Sequence, residues 1–234
     1  MSADPAAPAT LALTIDGQTV RVAPGTTIWE AARAAGIEVP VLCHSPRLRP
    51  VGVCRLCVVD VGERVLAAAC VRPCADGMTV QTRTPEVEAH RRTLLELLLA
   101  DYPDAADPAL RAKDANGGDE LLAQARAHGV ADIPWPDGAG NGGPGPRGRD
   151  GSSRVIAVDH QACILCDRCL RGCDELQHND VLGRTGKGYT ARIAFDLDQP
   201  MGQSTCVSCG ECMAVCPTGA LTDKATAGLK LERG

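Results

Sequence analysis

The chain has 234 residues, a formal net charge of −5 and only 2% aromatic residues, yet it contains 13 cysteines. The negative charge balance argues against a nucleic-acid-binding role, and no apolar run reaches the roughly 20 residues of a membrane span. The start, MSADPAAPAT, lacks the basic and apolar regions of a secretory signal, so we expect a cytoplasmic protein. Thiols stay reduced in that compartment, and the odd number of cysteines also argues against a complete disulfide framework.

The N-terminal part of the chain predicts a small α+β sheet crossed by one helix. After a tail at 1–10, which we expect to be disordered, LALTIDGQTVRV alternates apolar and polar residues around Asp16-Gly17, as hairpins do. Thr26 or Thr27 can cap a helix over about 28–35, which Gly36 can end. The segments CRLCVVDV, RVLAAACV and MTVQT predict the returning strands, so the first domain is expected to cover 11–84.

A helical connector is predicted over 85–133. Pro85 opens a helix over about 86–100. Its leucines form an apolar face, and three charged residues form its predicted solvated side: Glu88, Arg91 and Arg92. A second helix is expected at 119–128, closed by Gly129.

A linker is predicted next, because PWPDGAGNGGPGPRGRDGSS at 134–153 is too rich in glycine and proline to pack. A second cysteine-rich domain is expected at 154–224, followed by a tail at 225–234. Within this domain, GRTGKGYT at 183–190 is only loosely similar to a phosphate-binding loop, because a valine stands where a Walker loop needs glycine. We predict a turn between strands there.

The last cysteine block indicates which type of metal centre the chain binds. In STCVSCGECMAVCP, four cysteines and a proline follow the pattern C-x2-C-x2-C-x3-C-P of bacterial-type ferredoxins, which bind [4Fe–4S] clusters. Three closely spaced thiolates can wrap one cluster while the fourth cysteine begins a helix, and Pro217 suits the first turn of that helix. A structural zinc needs only two CxxC-like pairs and gains nothing from a third cysteine at this interval.

The block CILCDRCLRGCD repeats this spacing without the proline, which indicates an internal repeat. In two-cluster modules the fourth cysteine of each run binds the other cluster, so we predict two [4Fe–4S] clusters. The ligands of the first are Cys163, Cys166, Cys169 and Cys216. The ligands of the second are Cys206, Cys209, Cys212 and Cys173.

The first cysteine block has a different spacing. A short CxxC pair between two distant cysteines is typical of a plant-type [2Fe–2S] site, here with a longer first gap, and the predicted ligands are Cys43, Cys54, Cys57 and Cys70. Cys74 is then left over, and we interpret it as a spare thiol. His44 adjoins Cys43, but a Rieske-type site needs two histidines among its ligands, so His44 is not predicted to bind iron.

These residues resemble those of a known family. CHSPRLRPVGVCRLCVVDV is similar to the [2Fe–2S] domain that begins the iron–sulfur subunit of respiratory complex I. The same domain begins the alpha chain of NAD-dependent formate dehydrogenases and the small diaphorase subunit of NAD-reducing hydrogenases. The segments with the repeated runs look most like the formate dehydrogenase alpha chain, upstream of its molybdopterin domain.

The resemblance implies an α+β chain with an N-terminal β-grasp [2Fe–2S] ferredoxin-like domain, a helical connector and a C-terminal two-cluster module of the bacterial [4Fe–4S] type. Two departures bear on function. A further [4Fe–4S] site, which the family holds with one histidine and three cysteines after the leucine-rich helix, is missing because that region has no cysteine. The sequence also ends soon after Cys216 without a molybdopterin domain, so we expect the active site on another polypeptide.

The sequence therefore predicts an electron-transfer subunit that is not catalytic alone, because no flavin, molybdopterin or nickel site is recognisable. Its expected partners are a flavin subunit that handles NAD(H) and a separate catalytic subunit, with a molybdenum- or tungsten-dependent formate dehydrogenase favoured. A small diaphorase subunit of an NAD-linked hydrogenase or complex I-like enzyme is the alternative within this class. A free-standing iron–sulfur redox sensor or adaptor is the alternative from another class.

Overall fold

The computed structural model describes three stretches of the chain, residues 10–102, 119–130 and 147–225. Four predicted features lie wholly or largely outside them: the disordered tail, the middle of the helical connector, the linker up to 146 and the tail after Ala225. None of the helices in the described stretches combines the length and the apolar character that a bilayer crossing requires.

The described residues divide into two compact units, each with its own core of mainly aliphatic side chains. The first unit takes residues 10–41 and 50–91. The second takes residues 42–49 together with the described residues from Arg92 onward.

The first unit begins with the predicted hairpin. Strand β1 (Leu11–Ile15) pairs antiparallel with β2 (Gln18–Val22). Asp16 and Gly17 form the turn with φ angles of 48° and 83°, the left-handed region that this tight turn requires at both positions. A further strand, β5 (Thr79–Val80), adds to β1 in parallel, so β1 is the central strand of the sheet.

Helix α1 (Ile28–Ala34) packs on this sheet and ends before Gly36, as predicted. The Thr27 hydroxyl accepts the Glu30 N–H, and the Glu30 carboxylate accepts the Thr27 N–H, a capping box that satisfies two helix-terminal donors. The buried face of the helix shares a core with sheet residues such as Ile15 and Val80. Because each fully buried aliphatic side chain contributes about 1.5–3 kcal/mol, such a core can form without large rings.

A second antiparallel pair, β3 (Val58–Val59) and β4 (Ala67–Ala68), positions two of the predicted ligands. Cys57 directly precedes β3, and Cys70 follows β4 by two residues. The Ala69 N–H donates to the Cys57 carbonyl at 3.1 Å, so the pairing continues past the strands to the cysteines. The strands predicted in CRLCVVDV and RVLAAACV are confirmed.

The second unit contains a three-stranded antiparallel sheet and a separate hairpin. In the sheet, β7 (Ile156–Asp159) lies between β6 (Arg149–Asp150) and β10 (Leu221–Asp223). The hairpin joins β8 (Leu182–Thr185) to β9 (Arg192–Phe195), and its turn lies within GRTGKGYT, which confirms the turn predicted there.

Three helices of the second unit are short. Helix α3 (Glu120–Ala127) is capped by Asp119, whose carboxylate accepts the Leu122 N–H, and Gly129 follows it with φ 64°, as predicted. Helix α4 (Arg168–Arg171) contains Cys169 and continues as a π-helical stretch, Gly172–Leu176, which contains Cys173. Helix α5 (Glu211–Ala214) contains Cys212. Single π-helical turns frequently occur at functional sites.

One prediction for the leucine-rich helix is wrong, namely the exposure of Arg91. Helix α2 (Pro85–Ala100) is present as predicted, and Leu95 and Leu99 are buried. The predicted solvated side is wrong for Arg91, which is only 1% exposed. The reason is that the Arg91 guanidinium donates to two backbone carbonyls, so that burial leaves its donors satisfied.

The prediction that a helix begins at Pro217 is also wrong. Helix α5 ends at Ala214, and the chain after Cys216 turns into β10 instead. The Pro217 carbonyl accepts the Glu120 N–H at 2.7 Å, and the Thr218 carbonyl accepts the Tyr102 hydroxyl at 2.7 Å. These long-range hydrogen bonds, rather than those of a helical turn, hold the chain after Cys216.

The predicted linker has a described end, residues 147–153. Contrary to the prediction, this segment packs within the second unit. It contains strand β6, and the Arg147 guanidinium donates to the carbonyls of Gln161 and Cys163. The Asp150 carboxylate accepts the Met201 N–H at 2.7 Å. These partners lie far along the chain, so composition alone could not indicate them.

Candidate iron–sulfur cluster sites

The two repeated cysteine runs share a backbone conformation as well as a spacing. In each run the residues on both sides of the second cysteine have positive φ angles. They are Leu165 (54°) and Asp167 (61°) in the first run, and Ser208 (56°) and Gly210 (82°) in the second. Positive φ in non-glycine residues costs of order 1–3 kcal/mol and is retained where function requires it. The two cysteine runs therefore repeat each other in backbone conformation as well as in sequence.

Hydrogen bonds hold the first of these turns in place. The Arg184 guanidinium donates to both carboxylate oxygens of Asp167 at 2.7 Å and to the Leu165 carbonyl at 2.6 Å. Such a bidentate pair fixes geometry as well as charge. In the second run, the Ser208 N–H lies 3.4 Å from the Cys206 sulfur, as an N–H···S bond to a cluster ligand would require.

The first cavity of the second unit is lined by four cysteines and by aliphatic side chains that include Ile193 and Leu221. The four are the set that the spacing predicted for one [4Fe–4S] cluster: Cys163, Cys166, Cys169 and Cys216. Cys216 comes from the other run, so the chain crosses over to complete this cavity.

The second cavity is lined in the same way. Its cysteines are Cys173, Cys206, Cys209 and Cys212, and its apolar lining includes Ile156 and Leu182. Here Cys173 is the member that comes from the other run. The structure thus brings together both predicted sets of four, each with the exchanged fourth cysteine.

Burial strongly affects the thiols of these cavities. It raises the pKa of Cys166 to about 12, with neighbouring thiols adding to the effect, and it raises the pKa of Cys212 to about 12 in the same way. Burial also raises the pKa of Cys169 well above its ordinary value. Without metal these thiols are protonated at neutral pH, so metal binding must release their protons.

The arrangement fits a cluster of several irons. In each of the two cavities, four cysteines line the wall together with aliphatic side chains. In a [4Fe–4S] cluster each cysteine ligates a different iron, so the sulfurs must stand around the cluster rather than meet at one ion.

The third predicted set is divided between the units. Cys54, Cys57 and Cys70 belong to the first unit, whereas Cys43 belongs to the second. The sulfurs of Cys57 and Cys70 lie 3.4 Å apart. Two thiolates on one tetrahedral iron or zinc lie about 3.8 Å apart, from a metal–sulfur distance near 2.3 Å. The separation of the Cys57 and Cys70 sulfurs is thus within about 0.4 Å of the value that one bound metal ion would impose. Cys74 is buried in the same aliphatic core, and its N–H donates to the Thr26 carbonyl.

The segment that carries Cys43 is held by arginines of helix α4. The buried Arg171 guanidinium donates to the carbonyls of Cys43 and Arg49, each at 2.5 Å, and also contacts the Cys166 carbonyl at 3.5 Å. Arg168 donates to the Leu42 carbonyl at 3.2 Å and to the Glu120 carboxylate at 2.6 Å. One predicted [2Fe–2S] ligand is thus fixed by a helix of the first [4Fe–4S] run.

Sequence reasoning missed these arginines. Five guanidinium groups hold backbone carbonyls or turns at the cysteine segments: Arg91, Arg147, Arg168, Arg171 and Arg184. The sequence does show Arg168 and Arg171 on either side of Cys169, but spacing along the chain does not show which carbonyls these arginines reach.

Two protein-family models match this chain, one in its N-terminal part and one in its C-terminal part. Residues 8–85 match a 2Fe-2S iron-sulfur cluster binding domain. Residues 153–222 match the ferredoxin-like domain of NADH-quinone oxidoreductase subunit 3. A solved structure of an NAD+-reducing [NiFe]-hydrogenase contains a chain that is 30% identical, with a TM-score of 0.80, over 93% of this chain and 88% of that one.

The chain belongs to the iron–sulfur subunit family of NADH-quinone oxidoreductase and NAD-reducing hydrogenase. The family resemblance of the cysteine segments is confirmed, and so is the predicted α+β fold with an N-terminal [2Fe–2S] ferredoxin-like domain and a C-terminal ferredoxin-like module.

Curated members of the family are longer than this chain. An NADP-reducing hydrogenase subunit from Solidesulfovibrio fructosivorans is 38% identical over 91% of this chain and 36% of its own length. An NADH-quinone oxidoreductase subunit from Rhizobium meliloti is 36% identical over 89% of this chain and 23% of its own length. The chain thus spans about a quarter to a third of these relatives.

Proposed function

We propose that the chain is an electron-transfer subunit that passes single electrons between a flavin subunit, which handles NAD(H), and a separate catalytic subunit. The observation that carries this proposal is the pair of cavities, each lined by four cysteines and by aliphatic side chains. Groups of four thiols, most of them buried, in mainly apolar surroundings suit iron–sulfur clusters better than the few convergent polar groups that orient an organic substrate.

The proposed cofactors are one [2Fe–2S] and two [4Fe–4S] clusters, which supply one-electron redox chemistry when bound. Cys43, Cys54, Cys57 and Cys70 would hold the [2Fe–2S] cluster. Cys163, Cys166, Cys169 and Cys216 would hold the first [4Fe–4S] cluster, and Cys206, Cys209, Cys212 and Cys173 the second.

The remaining residues of the cavities keep water away and stabilise the ligand turns. Ile193 and Leu221 line the first cavity, and Ile156 and Leu182 line the second. Solvent exposure and hydrogen bonds to sulfur are two of the protein's means of setting a cluster potential. The apolar linings and the Ser208 N–H provide both within the second unit.

The catalytic partner that we propose is a molybdenum- or tungsten-dependent formate dehydrogenase, on the resemblance of the two cysteine-run segments. A hydrogenase is the second candidate. It is favoured by the similarity to an NADP-reducing hydrogenase subunit and to a chain of an NAD+-reducing [NiFe]-hydrogenase. The metal of the copurified complex separates them: molybdenum or tungsten would indicate the formate dehydrogenase, and nickel would indicate an [NiFe]-hydrogenase like the one in the solved structure.

The proposal is tested by purifying the tagged chain with its partners under anaerobic conditions and measuring electron flow between NADH and the catalytic subunit. Cys206→Ala removes one ligand of the second cavity, so it should reduce this flow at least about tenfold. Each partner's activity with artificial dyes should be unchanged. Cys74→Ala, which truncates a buried cysteine outside both cavities, is the matched control.

Two results would contradict the relay. One is full electron transfer by the Cys206→Ala complex. The other is reduction of NAD by formate or hydrogen with the isolated chain, which would place catalysis on this polypeptide. Copurification without flavin and without any catalytic metal subunit would support the alternative of a redox sensor or adaptor.

A further inference from the structure

Arg91 is the one fully buried side chain with a permanent charge among the described residues, and it contacts the [2Fe–2S] segment. It belongs to helix α2 and is 1% exposed. Its Nε donates to the Leu56 carbonyl at 3.3 Å, and its Nη2 donates to the Val58 carbonyl at 2.8 Å. These two residues flank Cys57, so one guanidinium holds the backbone on both sides of a proposed ligand.

The charge of this guanidinium is only partly balanced. The Glu88 carboxylate lies 3.5 Å from Nη1, but that side chain is 43% exposed. Burial lowers the Arg91 pKa and Glu88 raises it, and the other titratable groups that affect this pKa are Arg83, Cys57 and Asp16. An arginine remains protonated in proteins, so a cation is buried beside Cys57.

Burying a charge is unfavourable unless an opposite charge and hydrogen bonds compensate for the lost hydration. The carbonyls of Leu56 and Val58 could be satisfied by neutral donors, which would hold the same backbone at a lower desolvation cost. A guanidinium adds what those donors lack, a full positive charge in surroundings of low polarity, where charge interactions are stronger than in water.

We propose that Arg91 is a positioning residue for Cys57 and raises the reduction potential of the [2Fe–2S] cluster. This inference rests on the proposed function, in which Cys57 is a ligand of that cluster. One-electron reduction adds a negative charge to the cluster and its thiolates. A buried cation stabilises the reduced form more than the oxidised form, and the two hydrogen bonds fix the distance over which it acts.

The test is a redox titration of the reconstituted full-length chain, followed by electron paramagnetic resonance of the reduced [2Fe–2S] cluster. Arg91→Gln removes the charge and should lower the ratio of reduced to oxidised cluster about tenfold at a fixed potential, which is 59 mV for one electron. Arg91→Lys keeps the charge but not the planar fork, so it should lower the ratio less.

Two further variants separate charge from packing. Glu88→Gln removes the partly exposed counter-charge without touching the Cys57 backbone, so the ratio should rise, by about twofold to threefold because solvent screens this group. Arg92→Gln removes a charge from the exposed neighbouring position of the same helix and is the matched control, with the ratio expected within twofold of wild type.

The outcomes are distinct. If Arg91→Gln fails to fold or to assemble the cluster, Arg91→Lys and Glu88→Gln still report the direction of the charge effect. A potential that is unchanged in Glu88→Gln, and equally lowered by the lysine and glutamine variants, would overturn the inference while leaving the electron-transfer role intact. Absence of any [2Fe–2S] signal in the wild-type chain would overturn the proposed function itself.

Discussion

At the residue scale, Cys70 and Cys74 lie four positions apart but have different surroundings. The Cys70 sulfur lies 3.4 Å from that of Cys57, close to the separation of about 3.8 Å between two thiolates on one iron. Cys74 is buried in the aliphatic core, and burial, followed by the charge of Glu30, raises its pKa. A buried neutral thiol behaves as a small apolar side chain.

Exchange of each thiol for a hydroxyl tests this difference. Cys70→Ser should abolish the [2Fe–2S] signal in electron paramagnetic resonance, because a ligand is lost. Cys74→Ser should keep the signal and lower the unfolding free energy by about 1–2 kcal/mol, because it buries a polar group in an apolar site. Equal loss of signal in both variants would show that the two thiols share the ligand role.

At the scale of elements, helix α4 links the Cys43 segment to the first [4Fe–4S] run. Arg171→Gln removes the donors to the carbonyls of Cys43 and Arg49, and leaving the buried Cys43 carbonyl unsatisfied costs about 1–3 kcal/mol. We expect amide hydrogen exchange over 43–49 to accelerate about tenfold or more, whereas exchange in helix α3 should stay close to wild type. Hydrogen–deuterium exchange with mass spectrometry measures both.

The control for this variant is Arg192→Gln, which removes a guanidinium that pairs with the partly exposed Asp198 carboxylate. A surface pair of this kind contributes about 0–1 kcal/mol, so exchange over 43–49 should not change. If Arg171→Gln behaves like this control, the segment is held by its other contacts, such as the ion pair between Arg47 and Glu211.

The elements that could be predicted from the sequence are those fixed by local chemistry. The turn at Asp16-Gly17 and the cap at Thr27 depend on residues within three positions of each other, and the cysteine spacing separated the two sets of four. Arg91 and Pro217 could not be predicted in this way. Their conformations depend on carbonyls or amides distant in sequence, such as the carbonyls of Leu56 and Val58 for Arg91. Helical periodicity indicates a face, but not whether a long charged side chain on it finds buried acceptors.

At the scale of the whole molecule, the arrangement of cysteines determines how much iron the chain can hold. Cys43 is fixed within the second unit, while Cys54, Cys57 and Cys70 lie in the first. Each proposed [4Fe–4S] site draws all its ligands from the second unit, whereas three of the four proposed [2Fe–2S] ligands belong to the first. Loss of a first-unit ligand should remove one cluster and leave the other two.

Iron and acid-labile sulfide analysis of the anaerobically reconstituted chain tests this arrangement. The wild type should contain about ten iron atoms, from one [2Fe–2S] and two [4Fe–4S] clusters, and Cys70→Ser should contain about eight. A wild-type value near fourteen would mean that a further [4Fe–4S] site exists beyond the twelve proposed ligands. Stoichiometric zinc would contradict the cluster assignment, because the cavities would then hold single ions. A loss of more than two irons in Cys70→Ser would show that the [2Fe–2S] cluster is needed for the second unit to hold its own clusters, and the three sites would not be independent.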